Sequence, residues 1–481
     1  MSRDLTKKEI LFTLLILASP MIFLGAIFGF GKLLVYARQA ELQGDGIPTS
    51  ITEYNKKYYP EIPASENAAN TLLTAFANLK DWEGTPYTDD DMSPVLNQEL
   101  NDFIYKKLKD YLKNSTDLEK ALNKLYYYTK ARFYPNYDNY VFRSFSFEFW
   151  QTANYHAVIT EVMIHDKKFD DAVKILKRAF HVNKFSTFYP CTINYHLNDF
   201  DENNTVLLKK LLRLLSMTQL SERDLEDFVD IIDCLEEIST KQFKKHHLAN
   251  IVFCFELTDK YNLNYYFHNH KGVTRSFFNF RRNLLTNMSY HSGINSFDAI
   301  NAVDTAESIN KLSLKPYKDI VGKLHSLNDD SQSIFEPLAI LESEMAKPHF
   351  FREKYQAIAL MRCVKTACAV ELYRLKYKKI PETIDELAPE FISEIPTDIF
   401  DGEPLKYKTG EFQTNCVIYT LNDTNQDIEN NLTWQKANKN GYRIYSIGAD
   451  LVDNKGDMRS YPISPVDLVA AVVTEFSKSQ K

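Results

Sequence analysis

The sequence predicts a mainly α-helical protein with a small α+β C-terminal module, and three observations carry that prediction. Only 14 of the 481 residues are glycine, so turns that need positive φ must be few. Apolar residues recur at steps of three and four through most of the chain, and serines or threonines stand at the starts of those runs, where a side-chain oxygen can take an orphan amide. Beyond Pro381 the spacing changes to short alternating runs punctuated by proline and glycine. With 44% hydrophobic and 13% aromatic residues the chain can bury sizeable cores, and its length suggests two or three domains. We divide it into an N-terminal anchor and linker (1–46), a helical body (47–350) and the α+β module (351–481).

The anchor is the apolar run at residues 10–31, which contains no charged residue. At about 1.5 Å per residue it reaches roughly 33 Å, enough to cross a hydrocarbon core as one transmembrane helix. A cleaved signal peptide needs a shorter apolar region and a small-residue cleavage site; this run is too long and offers no convincing site. Pro20 and the glycines at 25, 29 and 31 are tolerated in membrane helices, and Gly25 with Gly29 forms a small-xxx-small pair of the kind that lets two helices approach. Arg3, Lys7 and Lys8 precede the run while Lys32 and Arg38 follow it, a slight bias toward a cytoplasmic N-terminus. The expectation is a single-pass protein of the cell membrane with its bulk outside the cytoplasm.

In the body, Ser65 precedes ENAANTLLTAFANL, Ser93 precedes a proline suited to a first helical position, Ser115 and Thr116 open DLEKALNKLYYYTK, and Ser221 opens ERDLEDFVDIIDCLEEI. Phe169, Ala172, Leu176 and Ala179 lie at the spacing of a tetratricopeptide second helix. With the preceding helix, at about 147–165, they resemble one repeat hairpin, without the three copies a solenoid requires. A helical bundle with one repeat-like hairpin is expected, a type of surface that binds proteins by fold-level analogy alone.

Chemistry is sparse. The sequence holds no HExxH, GxSxG, Walker-type loop or GxGxxG. His246 and His247, and His268 and His270, lack a neighbouring carboxylate or cysteine and read as surface or loop residues. The acidic run 89–91 reads as a solvated loop ahead of a helix. Six cysteines without CxxC spacing make neither a disulfide scaffold nor a zinc cluster; Cys234 and Cys254 read as core residues, and Cys363 and Cys368 sit on one helix at a spacing poor for bridging. A net charge of -7 argues against nucleic-acid binding. The segment RSFFNFRR at 275–282 interleaves arginines and aromatics, which more simply reads as an amphipathic helix. Asp423, Asn425 and Asp427 copy the opening of an EF-hand loop, but Ile428 and Trp434 stand where glycine and glutamate are required.

The module opens with 351–379, where Ala357, Leu360, Val364, Cys368, Leu372 and Leu375 form one apolar stripe. Then come a short ETIDEL helix, the turn-rich PTDIFDGEPLKY, and the alternating YRIYSIG before SPVDLVAAVV. In that order AVELYRLKYKKIP, ETIDEL, PTDIFDGEPLKY and YSIGADLVDNKGD resemble the C-terminal half of a type II secretion pseudopilin, over about a quarter of the chain. The resemblance implies a calcium site in the SxGxD loop, carried here by Asp450 with Asp453 and Asp457 as companions. Two departures stand out: Leu451 occupies a position where the family often has glycine, and Ile399 replaces a common proline after Asp398. FTLL at 12–15 superficially resembles the start of a mature type IV pilin, but Leu11 and Ile16 stand where a prepilin carries glycine and glutamate. No catalytic residue is assigned. The leading expectation is a non-enzymatic scaffold or protein-interaction role, with a protein partner or a second copy. The alternatives are an envelope hydrolase whose groups meet only in three dimensions, or a component associated with secretion.

Overall fold

The computed structural model describes residues 26, 29–79, 102–113, 115–132, 146–188, 199–259, 294–329, 348–419, 432–456 and 468–474. Most of the apolar run at 10–31 lies outside them, as do Ser93, the acidic run 89–91, His268, His270, the segment 275–282, Asp423, Asn425, Asp427 and Asp457. Among the described residues no helix is long and apolar enough to cross a membrane.

The chain is mostly helical, with a small antiparallel sheet near its C-terminus. Helix α1 runs through 29–44 and is followed by α2 (Ile51–Tyr58), α3 (Ala69–Leu79), α4 (Asp102–Leu112), α5 (Thr116–Lys124), α6 (Ser146–His165), α7 (Phe169–Asn183), α8 (Asp199–Met217) and α9 (Glu222–Asp259). Helices α10 (Ile294–Leu312), α11 (Tyr317–Asp329) and α12 (Pro348–Tyr377) complete the helical part. Strands β1 (Lys406–Tyr419), β2 (Leu432–Ser446) and β3 (Leu468–Val473) form the sheet in that order.

The helix starts obey local chemistry, though not always at the expected residue. Ser221 Oγ accepts the amide of Asp224 at 3.1 Å, as its position predicts. Ser65 does not cap α3; the start falls four residues later because Asn67 Oδ1 takes the amides of Ala69 and Arg132 together, tying the helix start to a distant segment. Ser115 precedes α5, yet its hydroxyl donates back to the Leu112 carbonyl.

Two long helices organise the interior. The 38 residues of α9 span about 57 Å, and α12 packs along them. The first half of α9 (Leu225, Phe228, Ile232, Leu235) shares a core with α7, α8, the sheet and the second half of α12 (Val364, Ala367, Cys368, Tyr373). Its second half (Phe243, Ile251, Phe255) shares another with α1, α10, α11 and the first half of α12 (Phe351, Tyr355, Ile358). The two helices are therefore antiparallel, and Asp233–Lys365 and Glu236–Arg362 ion pairs mark their rims. A third core joins α3 and α5 to α6. Because α12 is covered by helices on one side and by β2 and β3 on the other, it is buried around most of its circumference and not along one stripe: Ala357 and Leu360 are buried, and so are Ile358 and Ala359 between them and Met361 after them. The ETIDEL segment is a single 3₁₀ turn, Ile384–Leu387, in which Glu386 Oε1 accepts the Thr383 amide. The first five residues of the alternating YRIYSIG are the end of a strand of 15 residues, Leu432–Ser446.

In the sheet, β2 pairs with β1 along its whole length, but with β3 only from Gly441 to Ser446. A Cβ on Gly441 would lie 2.0 Å from the Val472 carbonyl oxygen, so the close approach of the two strands requires glycine there. Gly322, exposed in α11, has nothing within 4 Å of such an atom. Gly441→Ala is expected to destabilise the protein by about 1–3 kcal/mol, and Gly322→Ala to stabilise it by about 0.5–1 kcal/mol. Chemical denaturation of the two variants beside the parent checks both signs.

Candidate functional site

The densest polar chemistry lies inside the helical layer, on the faces of α8, α6, α7, α9 and α12 that point at each other. Glu161 stands in the apolar stretch ANYHAVITEVMI of α6. It is fully buried and accepts from Arg213 Nε at 2.7 Å and Lys210 Nζ at 3.1 Å, both on α8. Burial alone would raise its carboxyl; the two cations hold it below the usual carboxylate range. Near the start of α8, Asp201 accepts from Ser239 of α9 at 2.8 Å and from Lys354 of α12 at 2.5 Å, and the Lys354 ammonium also lies 5.9 Å from the Phe243 ring centroid. Asn183 of α7 donates to the Phe200 carbonyl and to Asn204, and accepts from Asn203.

A second cluster joins α5, α6 and α7. Arg178 grips Glu119 through both terminal nitrogens, at 2.6 and 2.8 Å, donates to Asn123, and directs Nε at His156 Nε2 at 3.1 Å. Tyr155 donates to the same carboxylate at 2.7 Å. His156 Nε2 must accept, so Nδ1 carries the proton and donates to the Thr152 carbonyl at 2.7 Å. Burial, reinforced by the Arg178 charge, takes this imidazole down to about 3.

In the C-terminal segment, Asp398 is buried and accepts from the Phe400 amide, the Ser446 hydroxyl and the Ile447 amide, at 2.8–2.9 Å. One carboxylate thus fastens the PTDIFDG turn to the YSIG strand end; burial pushes it up, and these bonds partly offset that. Glu371, raised mainly by burial, accepts from Tyr442 at 2.9 Å and pairs with Arg374.

What this arrangement can do chemically follows from how it is bonded. His156 has both ring nitrogens engaged, Glu161 faces two cations, and Asp201 is held on both oxygens. They hold helices at fixed registers, and none is a base presented to a substrate. The sequence-expected residues fall elsewhere. Asp450 Oδ1 accepts the Val452 amide and its Oδ2 accepts from Asn454, while Asp453 Oδ1 accepts the Lys455 amide. Both carboxylates close turns of their own loop. Among the described residues no three histidine, cysteine or acidic side chains come together as a metal group, and no metal centre is assigned. Leu451, where the resemblance expects glycine, has φ of 57°: the backbone adopts the conformation glycine favours, with a leucine in it. His247 does not lie in a surface loop but is buried on α9, stacked on Phe351 and edge-on to Phe243. The long helix continues past the motif that suggested it and carries this ring into the second core. Cys254, Cys363 and Cys368 are buried and Cys234 is half-buried, none of them in a disulfide.

No motif marks the buried charges, but one signal points at Glu161, a lone ionisable residue inside an otherwise apolar stretch; Lys354, which follows Arg352 and Glu353, carries no such signal. Glu161→Gln, which leaves Lys210 and Arg213 buried against a neutral amide, is expected to destabilise the protein by about 3–5 kcal/mol, read as a lowered denaturation midpoint.

Stability should also fall in mild acid. His156 and His247, both taken down to about 3 chiefly by burial, stay neutral when folded and titrate near 6.5 when unfolded. Their contribution is complete above about pH 6.5 and is lost as pH falls below it, by up to about 1.4 kcal/mol per pH unit for each ring. Glu119 and Glu161, whose carboxyls are lowered, lose their contribution at more acidic pH, and the raised Glu371 and Asp398 act in the opposite sense. The histidine part is isolated by difference: between pH 6.5 and 5, His247→Leu should show a shallower decline than the parent in denaturation midpoints. Compared with known proteins, the chain matches no family model, no curated protein and no solved structure.

Proposed function

We propose that this chain is a single-pass, membrane-anchored envelope protein with a non-enzymatic scaffold or protein-interaction role, its bulk on the extracytoplasmic side. The observation that carries the reading is the way α1 joins the apolar run to the body. Residues 29–31 belong to both the run and the helix, and within about three further turns Val35 and Leu42 are buried in the core shared by α9, α10 and α12. Arg38 on the same face reaches Asp304 at 2.8 Å and Glu307 at 2.5 Å on α10. A lipid-spanning segment that ends in such a joint would hold the body at a set distance and orientation, which suits a platform better than a tethered enzyme.

The internal use of the buried charges supports the same reading, since the networks of Glu161, Asp201 and Arg178 bond helix to helix and Asp398 bonds a turn to a strand end. The pairing of α6 with α7, with Ala172, Leu176 and Ala179 buried, supports a repeat-like hairpin as one interaction surface. The packing of α12 on the sheet, with Asp398 joining the turn to the YSIG loop, supports a pseudopilin-like C-terminal module.

The test of the anchor is fractionation. The full-length chain should stay with membranes through an alkaline carbonate wash and leave them only in detergent, whereas a chain beginning at Lys32 should appear in the soluble fraction; release of the full-length chain by carbonate alone would remove the reading. A C-terminal tag accessible to protease on intact spheroplasts checks the side of the membrane.

A further inference from the structure

Where α2 packs on α9, a half-buried cation is held without an anion. Tyr54 and Tyr59 are buried there against Ala249 and Val252, with Tyr58 beside them, and the Tyr54 hydroxyl donates to the Lys245 carbonyl at 3.0 Å. The Lys245 ammonium stands 5.8 Å from the Tyr58 ring centroid and 5.5 Å from that of Tyr59. From α2 the exposed Lys57 ammonium approaches the same Tyr58 ring at 5.4 Å and donates to the Gly46 carbonyl. Among the described residues neither ammonium has a carboxylate within ion-pair distance: Glu53, the acid of α2, is bonded to Thr49 and Gln43, and Glu237 on α9 is paired with Lys241. The buried cations Lys210, Arg213 and Lys354 each face a carboxylate. Lys245 does not: burial, and after it the Lys241 charge, push its ammonium down, and no negative charge offsets them.

We propose that this corner of α2 and α9 binds a phosphate-bearing anion, which sits beside the Tyr58 ring and accepts hydrogen bonds from Lys57 and Lys245. An ammonium drawn out of water without a counter-charge is a standing cost, and a bound anion removes it. The tyrosine rings hold Lys245 in place and keep water from one side of it, so the attraction is stronger there than between exposed charges. Phosphate is the anion that fits. It brings up to two negative charges to two ammoniums, and its oxygens accept from several directions, which suits flexible point-charge lysines; a planar carboxylate is matched instead to the guanidinium fork, and no arginine stands on α2. Such a phosphate reaches the corner either free in solution or on a lipid headgroup, and the experiment separates the two.

The experiment is amine footprinting of the full-length chain with phosphatidylcholine vesicles, in which the acylation rate of each lysine is read by mass spectrometry. Inorganic pyrophosphate, added at constant ionic strength against chloride, should slow the labelling of Lys245 and Lys57 and leave the exposed Lys120 and Lys174 unchanged. Lys57→Gln, a change at an exposed side chain that the fold tolerates, should raise the pyrophosphate concentration needed to protect Lys245 by about tenfold, the loss of one charge-assisted bond. Protection by pyrophosphate alone assigns a free phosphate; protection in vesicles that also contain phosphatidylglycerol, without pyrophosphate, assigns a headgroup. Protection of all four lysines alike would be charge screening and would overturn the site. So would no protection of Lys245 under either condition, or protection that Lys57→Gln leaves unaltered.

Discussion

Everything else in this molecule depends on α8 being keyed to its neighbours by polar bonds on several faces. Asp201 binds Ser239 and Lys354, which sets α8 against α9 and α12. Asn203 and Asn204 bind Asn183, which sets it against α7. Lys210 and Arg213 bind Glu161 on α6, and Ser216 accepts the amide of Val473 at the end of β3. Apolar contact tolerates small slides of one helix along another, because leucine packs against leucine at many offsets. A buried ion does not, since a shift of one residue leaves an uncompensated charge in a medium of low dielectric constant. These bonds therefore contribute more to selecting one arrangement than to net stability.

That division of labour explains which parts of the structure the sequence revealed. Helices were legible wherever a cap and a periodic run coincided: Ser221 opens α9 as its hydroxyl chemistry demands, and Phe169, Ala172, Leu176 and Ala179 mark α7. Periodicity did not reveal how α12 sits. A single stripe was read from Ala357 to Leu375, but residues between those positions are equally buried, and a helix enclosed on both sides has no outward face to betray its register. The candidate site was legible least of all. Glu119, Glu161 and Arg178 come from different helices, and no local spacing relates them. His247 looked like half of an exposed pair because nothing in KKHHL shows that α9 continues through it into a core of phenylalanines.

In the C-terminal segment α12 lies on β2 and β3. The residue that makes this arrangement cohere is Asp398, to which no metal role was attached, while the acidic residues expected to matter, Asp450 and Asp453, close local turns. A carboxylate that accepts hydrogen bonds from two backbone amides and a hydroxyl does what a bound cation does elsewhere: it draws separate loop segments to one point. The segment is also not a separate body set beside the helical one. Tyr442, Ile444, Ala470 and Val472 share a core with Leu207, Leu211 and Phe228, so the sheet contributes to the same interior that the buried charges organise.

The functional consequence concerns rigidity between the two ends of the chain. Helix α1 meets the core containing the second half of α9 and the first half of α12, and those two helices run on into the core that holds the sheet. A load applied at α1 therefore reaches the C-terminal segment through continuous helices, with no flexible linker between them among the described residues of α9 and α12. The ion pairs of Arg38 with Asp304 and Glu307 are where this continuous path begins.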